Sequence, residues 1–255
     1  MRIKKLSQID RELNTVACRV LTASLSSLMQ MPKRDRFIYQ CDDLTVDCTR
    51  QPLDDDVLAC LFDLAEACQL QKRIDQMFSG APINTTENRP VQHLEFRRPD
   101  HQNTADYKKC VDFTEAVRSN PEITAVVNLG TGGSDLGPKM VTAALAGYHD
   151  GPDCYFVGNI CPTDLHDVLG KCTPQKTLFI ITSKTFTTAE TMANAAIAKN
   201  WLEQHGVDYS KAMVAVTAAG PRALEWGIDP QHIFTFAEGV GGRYSLWSPA
   251  VSYTH

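Results

Sequence analysis

The chain has 255 residues, 43% of them hydrophobic and 22% charged. That balance excludes a disordered or fibrous chain and provides for one large or two small domains with a proper core. A net charge of −5 with no basic run interleaved with aromatics argues against nucleic acid as a partner, and no apolar run approaches membrane-spanning length.

The basic start Met1–Lys5 is followed by Asp10, Arg11 and Glu12, which interrupt any apolar stretch, so no signal peptide is expected. Ile9, Leu13, Val16, Val20, Leu21 and Leu28 recur at helical spacing and predict an amphipathic helix from Ser7 to about Met29. Phe37 to Asp47 reads as extended. Asp54–Asp56 place acids at a helix start, and Val57, Leu58, Leu61, Leu64, Cys68, Ile74 and Phe78 predict the buried face of one helix, stopped by Gly80 and Pro82. Asn84 to Asn103, with Pro90 and Pro99, reads as a loop or arm, and Asp106 to Ser119 as a helix.

Strand and helix then alternate. Strands are expected at Ala125–Leu129, Cys154–Val157, Leu178–Thr182, Met213–Thr217 and Ile233–Phe236. Helices are expected near Leu136–Ala146, Leu165–Leu169, Thr188–His205 and Pro221–Gly227. Short apolar strands separated by helices predict an α/β fold with a parallel, doubly wound sheet covered on both faces. Such sheets bind ligands beyond the carboxyl ends of their strands, here straight after Leu129, Thr182 and Phe236.

Three segments carry candidate chemistry. The first, Gly130-Thr131-Gly132-Gly133-Ser134-Asp135, leads from a strand into a helix, where free amides at the positive helix end can face an anion. Such turns also occur in sheets that bind nothing there. The dinucleotide fingerprint is excluded because its third glycine position holds Asp135, and the nucleotide-triphosphate loop because Pro138 follows Gly137. The second, Ser183-Lys184-Thr185-Phe186-Thr187-Thr188, packs one amine and four hydroxyls ahead of an alanine-rich helix, a set suited to phosphate oxygens. Thr187 and Glu190 also fit a capping box, a purely structural role. The third, Gly241-Gly242-Arg243-Tyr244-Ser245, brings a fixed guanidinium beside a turn that a ligand can approach closely. Taken by itself, the segment reads more readily as a surface arginine after a flexible turn.

The nine cysteines are odd in number, and none is spaced as a zinc knuckle or redox pair. They read as reduced thiols of a cytoplasmic protein. The seven histidines show no paired ligand spacing, so no metal is expected.

Val126–Leu145, Thr177–Asn194 and Gly241–Ser248 together resemble, in order, the signature blocks of the phosphoglucose isomerase family. Glu87-Asn88-Arg89 with His93 is similar to the arm before that family's first sugar-phosphate isomerase (SIS) domain. The resemblance implies a helical N-terminal region and arm over residues 1–120 and a SIS-type sugar-phosphate-binding domain over 121–255. It implies interconversion of glucose 6-phosphate and fructose 6-phosphate through an enediol, without metal or organic cofactor, in a homodimer. By position, Ser183, Lys184, Thr185 and Thr188 hold the phosphate, Gly133 and Ser134 lie against the sugar, and Arg243 stabilises the enediol. The family's proton-moving glutamate and its ring-opening histidine and lysine belong to C-terminal blocks that nothing here matches. The chain therefore reads as the N-terminal part of such an isomerase. Sugar-phosphate binding without turnover is the alternative. Thr131 and Ala189 depart from the family pattern, which more often has an apolar residue and a glutamine there.

Overall fold

The computed structural model describes residues 5–22, 24, 26–27 and 34–248. The chain divides into two compact units, Met1–Ser79 and Gly80–His255.

The first unit contains α1 (Leu6–Leu21), an antiparallel hairpin of β1 (Ile38–Cys41) and β2 (Leu44–Asp47), α2 (Asp55–Ala67) and α3 (Leu70–Phe78). The α1 helix matches the start of the predicted amphipathic segment, whose last residues, 28 and 29, lie outside the described ones. The acids at the start of α2 cap it as expected, with the Asp54 carboxylate accepting from the Val57 amide at 2.9 Å. Two predictions fail here. Of the expected buried face, Leu61, Cys68 and Phe78 are exposed, because the cluster that covers α2 is centred on Val57 with Val16 and Leu53. The single helix expected up to Phe78 is two, broken where Gln69 turns left-handed at φ 52° after the Cys68 amide has closed the last turn on Leu64. Helical periodicity survives such a one-residue break, because it only rotates the apolar face. Buried Arg34 holds the segment between hairpin and α2 by donating to the carbonyls of Thr49, Gln51 and Leu53.

The second unit is built on five parallel strands: β3 (Ala125–Gly130), β4 (Asp153–Val157), β5 (Thr177–Thr182), β6 (Met213–Thr217) and β7 (Ile233–Thr235), in the order β4-β3-β5-β6-β7. Around them run α4 (Ala105–Ser119), α5 (Gly133–Ala144), α6 (Pro162–Leu169), α7 (Ala189–Gln204), α8 (Tyr209–Ala212) and α9 (Gly220–Trp226). Strand pleating sorts the core into two layers. Val127, Leu129, Phe179, Ile181, Met213 and Ala215 pack with Leu165 of α6, Ala195 and Leu202 of α7 and Ala223 of α9. Val126, Leu178, Ile180, Val214 and Val216 face Cys110 and Phe113 of α4 and Val141 of α5. Both sheet faces are thus covered, which is why the strands read as continuous apolar runs. This unit includes the arm and α4 as well as the sheet, since α4 supplies one of the covering layers. Among the described residues no helix is long and apolar enough to cross a membrane.

Candidate active site

The first candidate loop leaves β3 at Gly130. A β-carbon there would lie 2.6 Å from the Ser134 carbonyl oxygen, so the turn closes only around glycine. Gly132 takes φ 62°, and α5 begins at Gly133, about one turn before the predicted start, which puts Gly133, Ser134 and Asp135 in its first turn. The buried Asn128 pins this turn from below. Its amide Nδ2 donates to the Ser134 carbonyl at 3.0 Å, and its Oδ1 accepts from the Thr182 hydroxyl at 2.8 Å.

Thr182 ends β5, where the second candidate loop departs, and it is the register partner of Gly130 on β3. The two loops therefore leave adjacent strands at the same level. They meet again one turn into α7, where the hydroxyls of Thr131 and Thr191 are 3.2 Å apart.

Inside the second loop, the Ser183 and Thr188 hydroxyls pair at 3.0 Å, and Thr187 donates to the Thr185 hydroxyl at 2.8 Å. Ser183 is buried, Lys184 half-buried and Thr185 exposed. The predicted capping box is not formed. Helix α7 starts one residue later, with Thr188 as its N-cap and no side-chain capping bond. The Thr187 hydroxyl expected to cap the helix bonds to Thr185 instead, and that of Thr188 to Ser183, because left-handed Phe186 (φ 54°) folds the loop back on itself, its amide donating to the Ser183 carbonyl.

The third segment turns through Gly241 into the 3-10 helix Gly242–Trp247. It sits directly on the start of α5: a β-carbon at Gly133 would overlap the Gly242 carbonyl and come within 2.7 Å of the Arg243 amide nitrogen. The Ser245 hydroxyl donates to the Gly242 carbonyl at 2.7 Å and fixes the turn. Arg243 is exposed, and its guanidinium has no ion pair among the described residues.

The arm completes the arrangement. Gln92 exchanges two hydrogen bonds with Gly239, at 3.0 and 3.2 Å, and His93 stacks on Tyr244 at 4.6 Å between ring centroids. Arg89 donates to the Glu238 carbonyl at 3.2 Å and pairs with Glu87 at 3.3 Å. Burial first, then the Arg89 charge, lowers the pKa of the Lys184 ammonium, while Glu87 and Glu238 oppose the change. Arm and threonine-rich loop are thus electrostatic neighbours. Asp135 is buried against Gly158, and its Oδ1 has no hydrogen-bond partner among the described residues. Burial raises its carboxyl pKa, against a smaller pull from Lys139.

The fold therefore brings Gly133 to Arg243, Ser183 to Thr188, and Lys184 to the arm. Sequence reading assigned no role to Asn128, Thr191, the Thr182 hydroxyl or the Asp135 carboxylate. Asn128, the one amide inside an apolar strand, was the available signal.

A doubly wound α/β domain with three loops at one end of a parallel sheet, two built of glycine and hydroxyl residues and one bearing an arginine, is the class of protein that fold and site define. Within that class, residues 47–253 match the family model described as phosphoglucose isomerase, and the chain belongs to that family. Glucose-6-phosphate isomerase of Ruegeria pomeroyi is 41% identical over 235 residues, covering 85% of this chain and 44% of that protein. The Bartonella quintana glucose-6-phosphate isomerase is 42% identical over 233 residues, covering 83% of this chain and 42% of that protein. The chain thus spans less than half the length of these relatives. A crystal structure of a glucose-6-phosphate isomerase from Chlamydia trachomatis shares the fold, with a TM-score of 0.75 at 24% identity over 95% of this chain and 51% of that one.

Proposed function

We propose that the chain binds a hexose phosphate and serves the interconversion of glucose 6-phosphate and fructose 6-phosphate, with residues 121–255 as the sugar-phosphate-binding domain of a cytoplasmic homodimer. Ser183, Lys184, Thr185 and Thr188 hold the phosphate, Gly133 and Ser134 lie against the sugar, and Arg243 stabilises the negative oxygen of the enediolate. The observation that carries this reading is the pairing of Gly130 with Thr182 on adjacent parallel strands, which aims both loops at one place. Amides and hydroxyls placed there before the ligand arrives cost no reorganisation when charge develops. An always-charged guanidinium beside them favours an enediolate over the neutral sugar.

Binding without turnover is the second reading. The matched blocks supply hydroxyls, amides and a guanidinium, and the family's proton-moving glutamate has no match in them. General acid–base groups contribute about two to four powers of ten each. Isothermal titration with fructose 6-phosphate tests the binding claim, comparing wild type with Ser183→Ala/Thr185→Ala. Heat from wild type and none from the double variant is expected, and equal heats overturn the reading. A coupled assay on the same protein separates turnover from binding alone, and light scattering reads the homodimer.

A further inference from the structure

We infer that α9 is a clamp that sets the shape of the Ser183–Thr188 loop, with Arg222 and Trp226 as its positioning residues. The inference rests on reading that loop as the anion site.

Arg222 and Trp226 are four residues apart on α9 and so share one face. Each holds a different residue of the loop. Arg222 Nη1 donates to the Thr185 carbonyl at 2.8 Å. The Trp226 ring meets Phe186 edge to face, with centroids 6.4 Å apart and planes at 81°. The strand leading into α9 adds two bonds to the neighbouring residue. The Lys184 carbonyl accepts from the Ala218 amide at 3.0 Å and from the Thr217 hydroxyl at 3.1 Å.

Two consequences follow for an anion. First, the carbonyls of Lys184 and Thr185, which would repel negative charge, are both bound to donors of β6 and α9. Second, Phe186 is only 4% exposed and sits at φ 54°. A bulky residue keeps that left-handed conformation only where its surroundings enforce it. Its side chain belongs to the main core layer, and Trp226 packs against that layer from α9.

Trp226 is itself braced. Tyr209 stands edge to face with it, centroids 6.0 Å apart. The Lys199 ammonium lies 3.7 Å from the Tyr209 centroid and 5.0 Å from that of Trp226, a cation facing both rings. Gly227 ends α9 at φ 102° and lets the Tyr209 hydroxyl close against it. The brace thus runs from α7 and α8 through α9 to the loop.

The test uses the full chain without ligand and then with it. Amide exchange is read at Phe186 and Ala218, whose N–H groups donate to Ser183 and Lys184, with Ile181 and Val214 of the sheet as internal references. Arg222→Met and Trp226→Ala are each expected to speed exchange at Phe186 and Ala218 about tenfold relative to the references. Trp226→Phe keeps an edge-to-face ring and restores protection. In titration with fructose 6-phosphate, the first two variants lose about tenfold in affinity, and Trp226→Phe stays near wild type. Arg222→Met removes no core contact, so it remains readable even where Trp226→Ala fails to fold. Unchanged exchange at Phe186 and Ala218 in folded Arg222→Met overturns the clamp. Faster exchange in the variants, with no heat from wild type, leaves the clamp standing and removes the sugar-phosphate reading instead.

Discussion

Gly133 and Gly242 meet backbone against backbone, and the contact is one-sided. A β-carbon on Gly133 would overlap the Gly242 carbonyl, whereas one on Gly242 would find Gly133 at an ordinary 4.0 Å. The start of α5 and the arginine turn are joined here with no side chain between them.

Gly133→Ala should therefore cost about 1–3 kcal/mol, the usual range for forcing atoms into a packed site, because backbone cannot swing aside. Gly242→Ala should be close to neutral. Thermal unfolding of the pair reads the difference, and equal melting temperatures would show that the two turns are not locked together as described. In titration with fructose 6-phosphate, Gly133→Ala should also lose more affinity than Gly242→Ala, since it displaces Arg243 from the site.

Thr182→Val removes the hydroxyl that donates to buried Asn128, the residue holding the glycine turn. A loss of about 1–3 kcal/mol is expected for breaking such a buried bond. For a chain of this size each kcal/mol lowers the melting temperature by about 2–4 °C. A double-mutant cycle with Asn128→Ala should show strong coupling between the two positions. Additive losses would place them in separate networks.

Burial raises the Asp135 carboxyl pKa above its unfolded value. The protonated form is then favoured in the folded state, so this group's contribution is most favourable at low pH. It is lost as pH rises from the unfolded value, about 3.9, through the raised folded one. Asp135→Asn has no such dependence. Its melting temperature relative to wild type should be highest near neutral pH and should fall back as the pH is lowered towards about 4. A difference that does not change with pH would mean that Asp135 stays ionised without penalty.

Cys110 lies on α4, buried against the sheet, and burial, reinforced by Asp106, pushes its thiol up to about 11. Cys18, Cys41 and Cys68 are exposed. At pH 8 in native protein, iodoacetamide should modify those three about a hundredfold faster than Cys110, since only the thiolate reacts. Mass spectrometry of peptides over time gives the order. Early modification of Cys110 would show that α4 opens from the sheet.

How much of this was legible in the sequence depends on the range of the interactions that carry each feature. The five strands and the helices between them were readable, because apolar runs and helical periodicity are properties of neighbouring residues. The loops after Leu129 and Thr182 could be singled out because glycine and hydroxyl residues have strong local effects on backbone shape. Three ordered blocks of similarity pointed to the family. The tertiary structure alone decided the rest. Only crossing connections put β5 beside β3, so that Gly130 pairs with Thr182 rather than with a residue of the next strand in the chain. Only packing made Gly133 the seat of Gly242, turned the expected capping hydroxyl of Thr187 towards Thr185, and bent the chain at Gln69. Each joins groups whose partner is chosen by the surrounding core, and a pattern confined to one segment holds no record of what lies across from it.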